Sequence, residues 1–141
     1  FKNGILIHGG GWKKIEDKKI STNLYKKLLN EKISLTNVYN YYGMIEQTGS
    51  IFLECPNCDS LITSIYSDII IRDKNLNVLN KEKVGLVQLI STIPTSYPGH
   101  NIITEDLGKI VNKSKNCKLN VKHFKILGRS KKSEVRGCSD V

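Results

Sequence analysis

"YYGMIEQTGS", residues 41–50, decides how the rest of the chain is read. Two tyrosines close a strand-like run, a glycine breaks it, and a lone carboxylate, Glu46, follows at once. An aromatic face, a backbone point without Cβ and one acid suit a flat base and a metal-bound phosphate. A core tyrosine beside a surface glutamate is the plain reading of the same residues.

Upstream, "GILIHGGGW" reads as a short buried strand, Ile5 to Ile7, ended by Gly9, Gly10 and Gly11. Lys18 to Asn30 predicts a helix, with Ile20, Leu24 and Leu28 spaced four apart on its buried face. Ser34 to Tyr39 predicts a second strand leading into the quoted stretch. Strand, helix and strand at this spacing make a βαβ unit over residues 1–48 with a parallel pair. Ligands of such sheets collect beyond the carboxyl ends of the strands, where both glycine-bearing turns fall.

After Gly49 the pattern changes. "SIFLEC", "LITSIYSDIIIRD", "VGLVQLISTI", "HNIITEDLGKIV" and "KHFKILGRS" are short apolar segments rich in Ile and Val, separated by turn-like stretches. They predict a mostly antiparallel sheet or small barrel over residues 49–127. The expected class is therefore α/β.

The chain has 141 residues, 39% hydrophobic and 25% charged, the composition of a globular domain or part of one. No apolar run approaches the about 18 residues of a membrane span. The start at Phe1 shows no signal-peptide pattern, and a cytoplasmic setting is expected. Net charge is +9, but the basic residues form no single stripe. Alanine is absent while Lys, Asn and Ile abound, which points to codon bias and not to nucleic-acid binding.

Several motifs carry chemistry beside a bland alternative. His8-Gly9-Gly10-Gly11 lets a backbone approach a phosphate or base, or makes a tight turn. Thr104-Glu105-Asp106-Leu107-Gly108 puts adjacent acids on opposite strand faces, so a single Asp can face ribose hydroxyls, or the acids mark a solvated turn. Gly128-Arg129-Ser130-Lys131 offers a rigid donor fork for phosphate or sugar oxygens, or a surface turn. Cys55 and Cys58 in "ECPNC" have the spacing of half a zinc knuckle. Cys117, His100 and His123 are available to complete a structural zinc site, but spacing selects none of them, and two unbound thiols at a turn are the plain reading.

In this order, the Gly-rich turn, Tyr-Gly-x-x-Glu, Asp-Leu-Gly and Gly-Arg-x-Lys resemble the second half of the adenylate-forming enzyme superfamily. "GRSKKSEVRGCSDV", with "YYGMIEQTGSIFLEC" and "PTSYPGHNIITEDLG", is similar to the bacterial acyl-protein synthetases. Those are the fatty-acid ligase component of the luminescence fatty-acid reductase complex, with relatives outside luminous bacteria. The resemblance implies the C-terminal portion of an adenylation large domain, residues 1–127. Residues 128–141 would form a hinge-like segment and a cysteine-bearing tail, with the phosphate-loop half lying upstream and absent here.

It further implies that Gly9, Gly10, Gly11, Tyr42 and Gly43 line the adenine pocket. Asp106 and Arg129 would bind ribose, Glu46 would hold magnesium, and Lys131 falls at the hinge of the larger enzymes. Cys138 in "RGC" matches the acyl-carrying cysteine near the family's C-terminus. Ile45 departs from the threonine usual in the superfamily. The implied reaction is ATP-dependent activation of a long-chain fatty acid and its transfer to a protein cysteine. The implied ligands and partners are ATP, magnesium, a fatty acid and an acyl-accepting protein such as an acyl reductase. Two other readings remain open at this stage: a non-catalytic basic zinc module that binds nucleic acid or protein, and a ligase with a different acceptor.

Overall fold

The computed structural model describes residues 1, 3–9, 18, 20–95, 98–115 and 117–130. It opens on β1 (Ile5–Gly9), α1 (Thr22–Ile33) and β2 (Asn37–Tyr42), with β1 and β2 parallel from Ile5↔Asn37 to Gly9↔Tyr41. This is the expected βαβ unit. The second strand begins three residues later than expected and runs through to Tyr42. A third strand, β3 (Phe52–Leu53), pairs antiparallel with β2, so "SIFLEC" extends this first sheet.

The helix also starts later than its periodicity predicts. Ser21 caps it, its Oγ accepting from the Leu24 N–H at 3.2 Å, and Ser34 ends it with a left-handed φ of 54°. No residue of α1 is fully buried. The half-buried positions are Thr22, Tyr25, Lys26 and Leu29, whereas Leu24 and Leu28 are exposed. The packed face is thus one residue on from the expected Leu24–Leu28 face, because polar contacts fix the rotation. Tyr25 meets His8 edge-on at 5.0 Å, and Lys26 Nζ donates to Glu54 Oε1 at 2.6 Å. The other Glu54 oxygen accepts from the Asn40 N–H at 2.9 Å, which ties helix, β2 and the end of β3 together. β1 departs from expectation as well: Ile5 and Ile7 are 69% and 54% exposed. It is an edge strand, and the two isoleucines point away from the face that carries His8 toward α1.

The remaining strands are β4 (Leu61–Ile62), β5 (Ser67–Arg72), β6 (Gly85–Ser91), β7 (Asn101–Val111) and β8 (His123–Arg129). They form one antiparallel sheet in the order β4-β8-β7-β6-β5. "LITSIYSDIIIRD" therefore supplies two strands that lie at opposite edges of the sheet. Laid flat, five strands separate their edges by about 19 Å, while the five steps from Ile62 to Ser67 reach about 17 Å at full stretch. The sheet must curl. Lys122, just before β8, accordingly reaches β5, with Nζ 2.7 Å from Asp68 Oδ2 and 3.2 Å from the Ile69 carbonyl.

Phe52, Leu61, Ile69, Ile71, Val87, Leu89 and Phe124 fill the curl, joined by Tyr42 from the first sheet and Met44 just after it. Phe52 and Phe124 meet edge-to-face at 5.4 Å, a favoured aromatic geometry. One core therefore serves both sheets. Among the described residues no helix is long and apolar enough to cross a membrane.

Candidate functional site

The quoted stretch leaves β2 at Tyr42 and turns through a single 3-10 turn, Ile45–Gln47. Gln47 and Ser50 pin that turn to the second sheet. Gln47 is fully buried with Nε2 donating to the Leu89 carbonyl at 3.3 Å, and Ser50 Oγ donates to Ser91 Oγ at 2.6 Å. Glu46, immediately before these anchors, is exposed. The anchors went unread in the sequence, although two polar residues just after a conspicuous acid are a visible signal.

Tyr42 reaches across to the second sheet, its hydroxyl donating to Asp106 Oδ2 at 2.6 Å. Burial above all, and then this hydrogen bond to a carboxylate, raise the phenol far above its ordinary pKa, so Tyr42 is a fixed neutral donor. Asp106 is held on its own strand as well: Thr104 Oγ1 donates to the Val87 carbonyl at 2.9 Å and accepts the Asp106 N–H at 3.1 Å.

Arg129 arrives through a bulge. Leu107 pairs with Gly128 but Gly108 with Ile126, so Leu127 is an extra residue on β8. Gly128 absorbs the bend with φ 134°, which returns Arg129 to register opposite Asp106. Arg129 Nε lies 3.7 Å from Asp106 Oδ1, and the Ser130 N–H continues the ladder to the Glu105 carbonyl at 2.9 Å. The Asp106 side chain is 17% exposed, so a ligand can still reach it. The structure thus brings Tyr42, Asp106 and Arg129 together from two sheets.

Gly9 has a local role. A Cβ there would lie 2.5 Å from the Tyr41 ring, so the missing side chain makes room for that tyrosine. A Cβ on Gly43 would come within 3.2 Å of the Ser50 carbonyl, which keeps the turn tight. Gly10, Gly11, Lys131 and Cys138 lie outside the described residues.

The cysteines named as candidate zinc ligands also converge. Cys55, Cys58, Cys117 and His123 place their ligand atoms within 4.8 Å of one another. Burial pushes the Cys55 thiol up to about 11 and holds His123 below its ordinary value, which keeps the imidazole neutral. His123 is the fourth member, and His100 is not part of the group. Two open grooves of about 330 and 240 Å³ flank the Cys55–Cys58 turn and are not lined by Tyr42, Asp106 or Arg129.

Solved structures with this fold are adenylate-forming enzymes. Apo MatB from Rhodopseudomonas palustris matches with a TM-score of 0.59 and 18% identity, over 90% of this chain and 26% of its own. MbtA from Mycobacterium smegmatis matches with a TM-score of 0.60 and 15% identity, over 89% of this chain and 25% of its own. The luciferase-like enzyme of the mealworm Zophobas morio matches with a TM-score of 0.57 and 19% identity, over 92% of this chain and 32% of its own. The fold is therefore that of the C-terminal portion of such an enzyme, and the chain spans a quarter to a third of these structures.

The family model for the acyl-protein synthetase LuxE matches residues 1–141, and the chain belongs to that family. Among curated proteins none matches.

Proposed function

We propose that this chain is the nucleotide-binding C-terminal portion of an ATP-dependent fatty-acid ligase that passes its acyl group to a protein cysteine. The observation that carries the reading is the Tyr42–Asp106–Arg129 group, in a chain of the LuxE acyl-protein synthetase family. Asp106 accepts from the ribose hydroxyls and Arg129 donates to the ribose from the other side. Tyr42, bonded to Asp106, fixes the carboxylate and forms the pocket wall with Gly43. Gly9, Gly10 and Gly11 border the adenine.

Glu46 is an exposed carboxylate on an anchored turn, a hard oxygen donor of the kind magnesium takes beside substrate phosphates. Bound there, magnesium offsets charge on the phosphates. In the first step the fatty carboxylate attacks the α-phosphorus of ATP, the bond to the β-phosphate oxygen breaks, and pyrophosphate leaves. In the second, the Cys138 thiolate attacks the acyl carbonyl and AMP departs with the electron pair of the anhydride bond. Arg136, Lys131 and Lys132 supply positive charge near Cys138 in sequence, which favours the thiolate. Lys131 falls where the larger superfamily has its hinge, and an acyl-accepting protein such as a reductase then receives the chain.

The test is fatty-acid-dependent ATP–pyrophosphate exchange by the native-length protein. Exchange is expected, and Asp106→Asn should weaken ATP binding at least tenfold, about 1.4 kcal/mol. A folded protein that gives no exchange with fatty acids of any length would overturn the reading.

A further inference from the structure

We infer that Cys55, Cys58, Cys117 and His123 form a closed structural zinc centre that staples the two sheets together. The inference is independent of the nucleotide site. In a tetrahedral centre with Zn–S near 2.3 Å, neighbouring sulfurs stand about 3.8 Å apart and sulfur and imidazole nitrogen about 3.6 Å apart. Cys55 Sγ is 3.7 Å from Cys117 Sγ, and Cys117 Sγ is 3.7 Å from His123 Nε2. A disulfide would need its sulfurs at about 2.05 Å.

The cluster has the supports of a metal site. The turn that presents Cys55 and Cys58 is closed by the Cys58 N–H to the Cys55 carbonyl at 3.3 Å and the Cys55 N–H to the Ser60 carbonyl at 2.8 Å. Ser60 Oγ lies 2.9 Å from His123 Nδ1. With Nδ1–H donating to that hydroxyl, the lone pair of Nε2 faces the three sulfurs, the arrangement that orients metal-bound histidines. Cys55, Cys117 and His123 are buried, and only Cys58 is partly open to solvent. Three thiolates and one imidazole around Zn²⁺ carry a net charge of −1. Lys113 lines the groove beside Cys58 and complements it, while Lys125 in the same groove pairs with Asp59 at 2.7 Å.

Four protein ligands fill the tetrahedron and leave no open position for water or substrate, so the centre is structural. Its ligands come from the β3–β4 turn, the β7–β8 loop and the first residue of β8. β4 is two residues long and pairs with β8 through Leu61↔Phe124 and Ile62↔His123. The metal would lock that short pairing in place and hold β3, and through it β2 and Tyr42, against the curled sheet.

Metal analysis of the native-length protein, purified without chelator, should give one zinc per chain from this site. Replacement by Co²⁺ should give the intense visible bands of a tetrahedral ion with thiolate-to-metal charge transfer in the near ultraviolet. Cys58→Ser, at the least buried ligand, should lower zinc retention at least tenfold against a competing chelator. His123→Cys, which keeps four ligands, should retain zinc and strengthen the charge-transfer band. In the intact protein Cys55, Cys58 and Cys117 should resist thiol reagents, and all three should become reactive together as zinc is stripped. A folded, metal-free protein whose three thiols titrate without chelator would overturn the proposal, as would a mapped Cys55–Cys117 disulfide. Zinc retention unchanged in Cys58→Ser and in Cys117→Ser would also overturn it.

Discussion

Replacing Tyr42 by Phe removes one oxygen and leaves the ring in place. The ring packs near Phe52 at 6.2 Å between centroids, and phenylalanine keeps that contact. What is lost is the 2.6 Å hydrogen bond to Asp106 Oδ2. Hydrogen bonds to charged groups contribute about 1.5–3 kcal/mol. Asp106 retains Arg129 and partial solvent access, which places the loss at the lower end, about 1.5 kcal/mol. At an m-value near 2 kcal/mol/M this lowers the urea midpoint by roughly 0.8 M. A double-mutant cycle with Asp106→Ala should return a coupling energy of similar size. A coupling below about 0.5 kcal/mol, the range of independent sites, would refute the claim that this bond joins the two sheets.

The same bond has an alkaline signature. In the unfolded chain the phenol ionises near its ordinary value of 10.0, whereas in the folded protein burial and then the bond to Asp106 keep it protonated to higher pH. The stabilisation is fully present below pH 10 and declines above it, and Tyr42→Phe should lose that decline.

Three further outcomes follow from local geometry. A Cβ at Gly108 would lie 2.8 Å from both the Lys125 carbonyl and Val87 Cγ2, so Gly108→Ala should cost about 2–3 kcal/mol in chemical denaturation. Gly128→Ala meets no atom within 4 Å but is held at φ 134°; it should cost about 1–3 kcal/mol through backbone strain alone and weaken nucleotide binding by misplacing Arg129. His8 is held below its unfolded value of 6.5, first by burial and then by Lys26, with Glu54 opposing. The neutral ring's stability is therefore complete above pH 6.5 and is lost as pH falls below it, so thermal scans should show an acid-side decline that His8→Phe reduces.

The βαβ opening was legible because glycines and apolar spacing mark its ends, and the antiparallel remainder because short Ile- and Val-rich runs alternate with turns. The rotation of α1 was not. Leu24 and Leu28 have the same four-residue spacing as Tyr25 and Leu29, and the choice between faces was made by Lys26 on Glu54 and Tyr25 on His8. Such polar pairs across elements leave no periodic trace. His123 was equally hidden, since it reaches the cysteines only because β4 and β8 pair beside it. Tyr42 and Asp106 are 64 residues apart, and family resemblance suggested their association before any local pattern did.

The most direct measurement incubates the native-length protein with labelled long-chain fatty acid and ATP in the presence of magnesium, wild type beside Cys138→Ser. The account predicts label that stays on the wild type through denaturation, is released by neutral hydroxylamine, and is absent from the variant. Equal labelling of both proteins would contradict Cys138 as the carrier. No ATP-dependent labelling of a folded wild type, with no pyrophosphate released, would contradict the ligase itself.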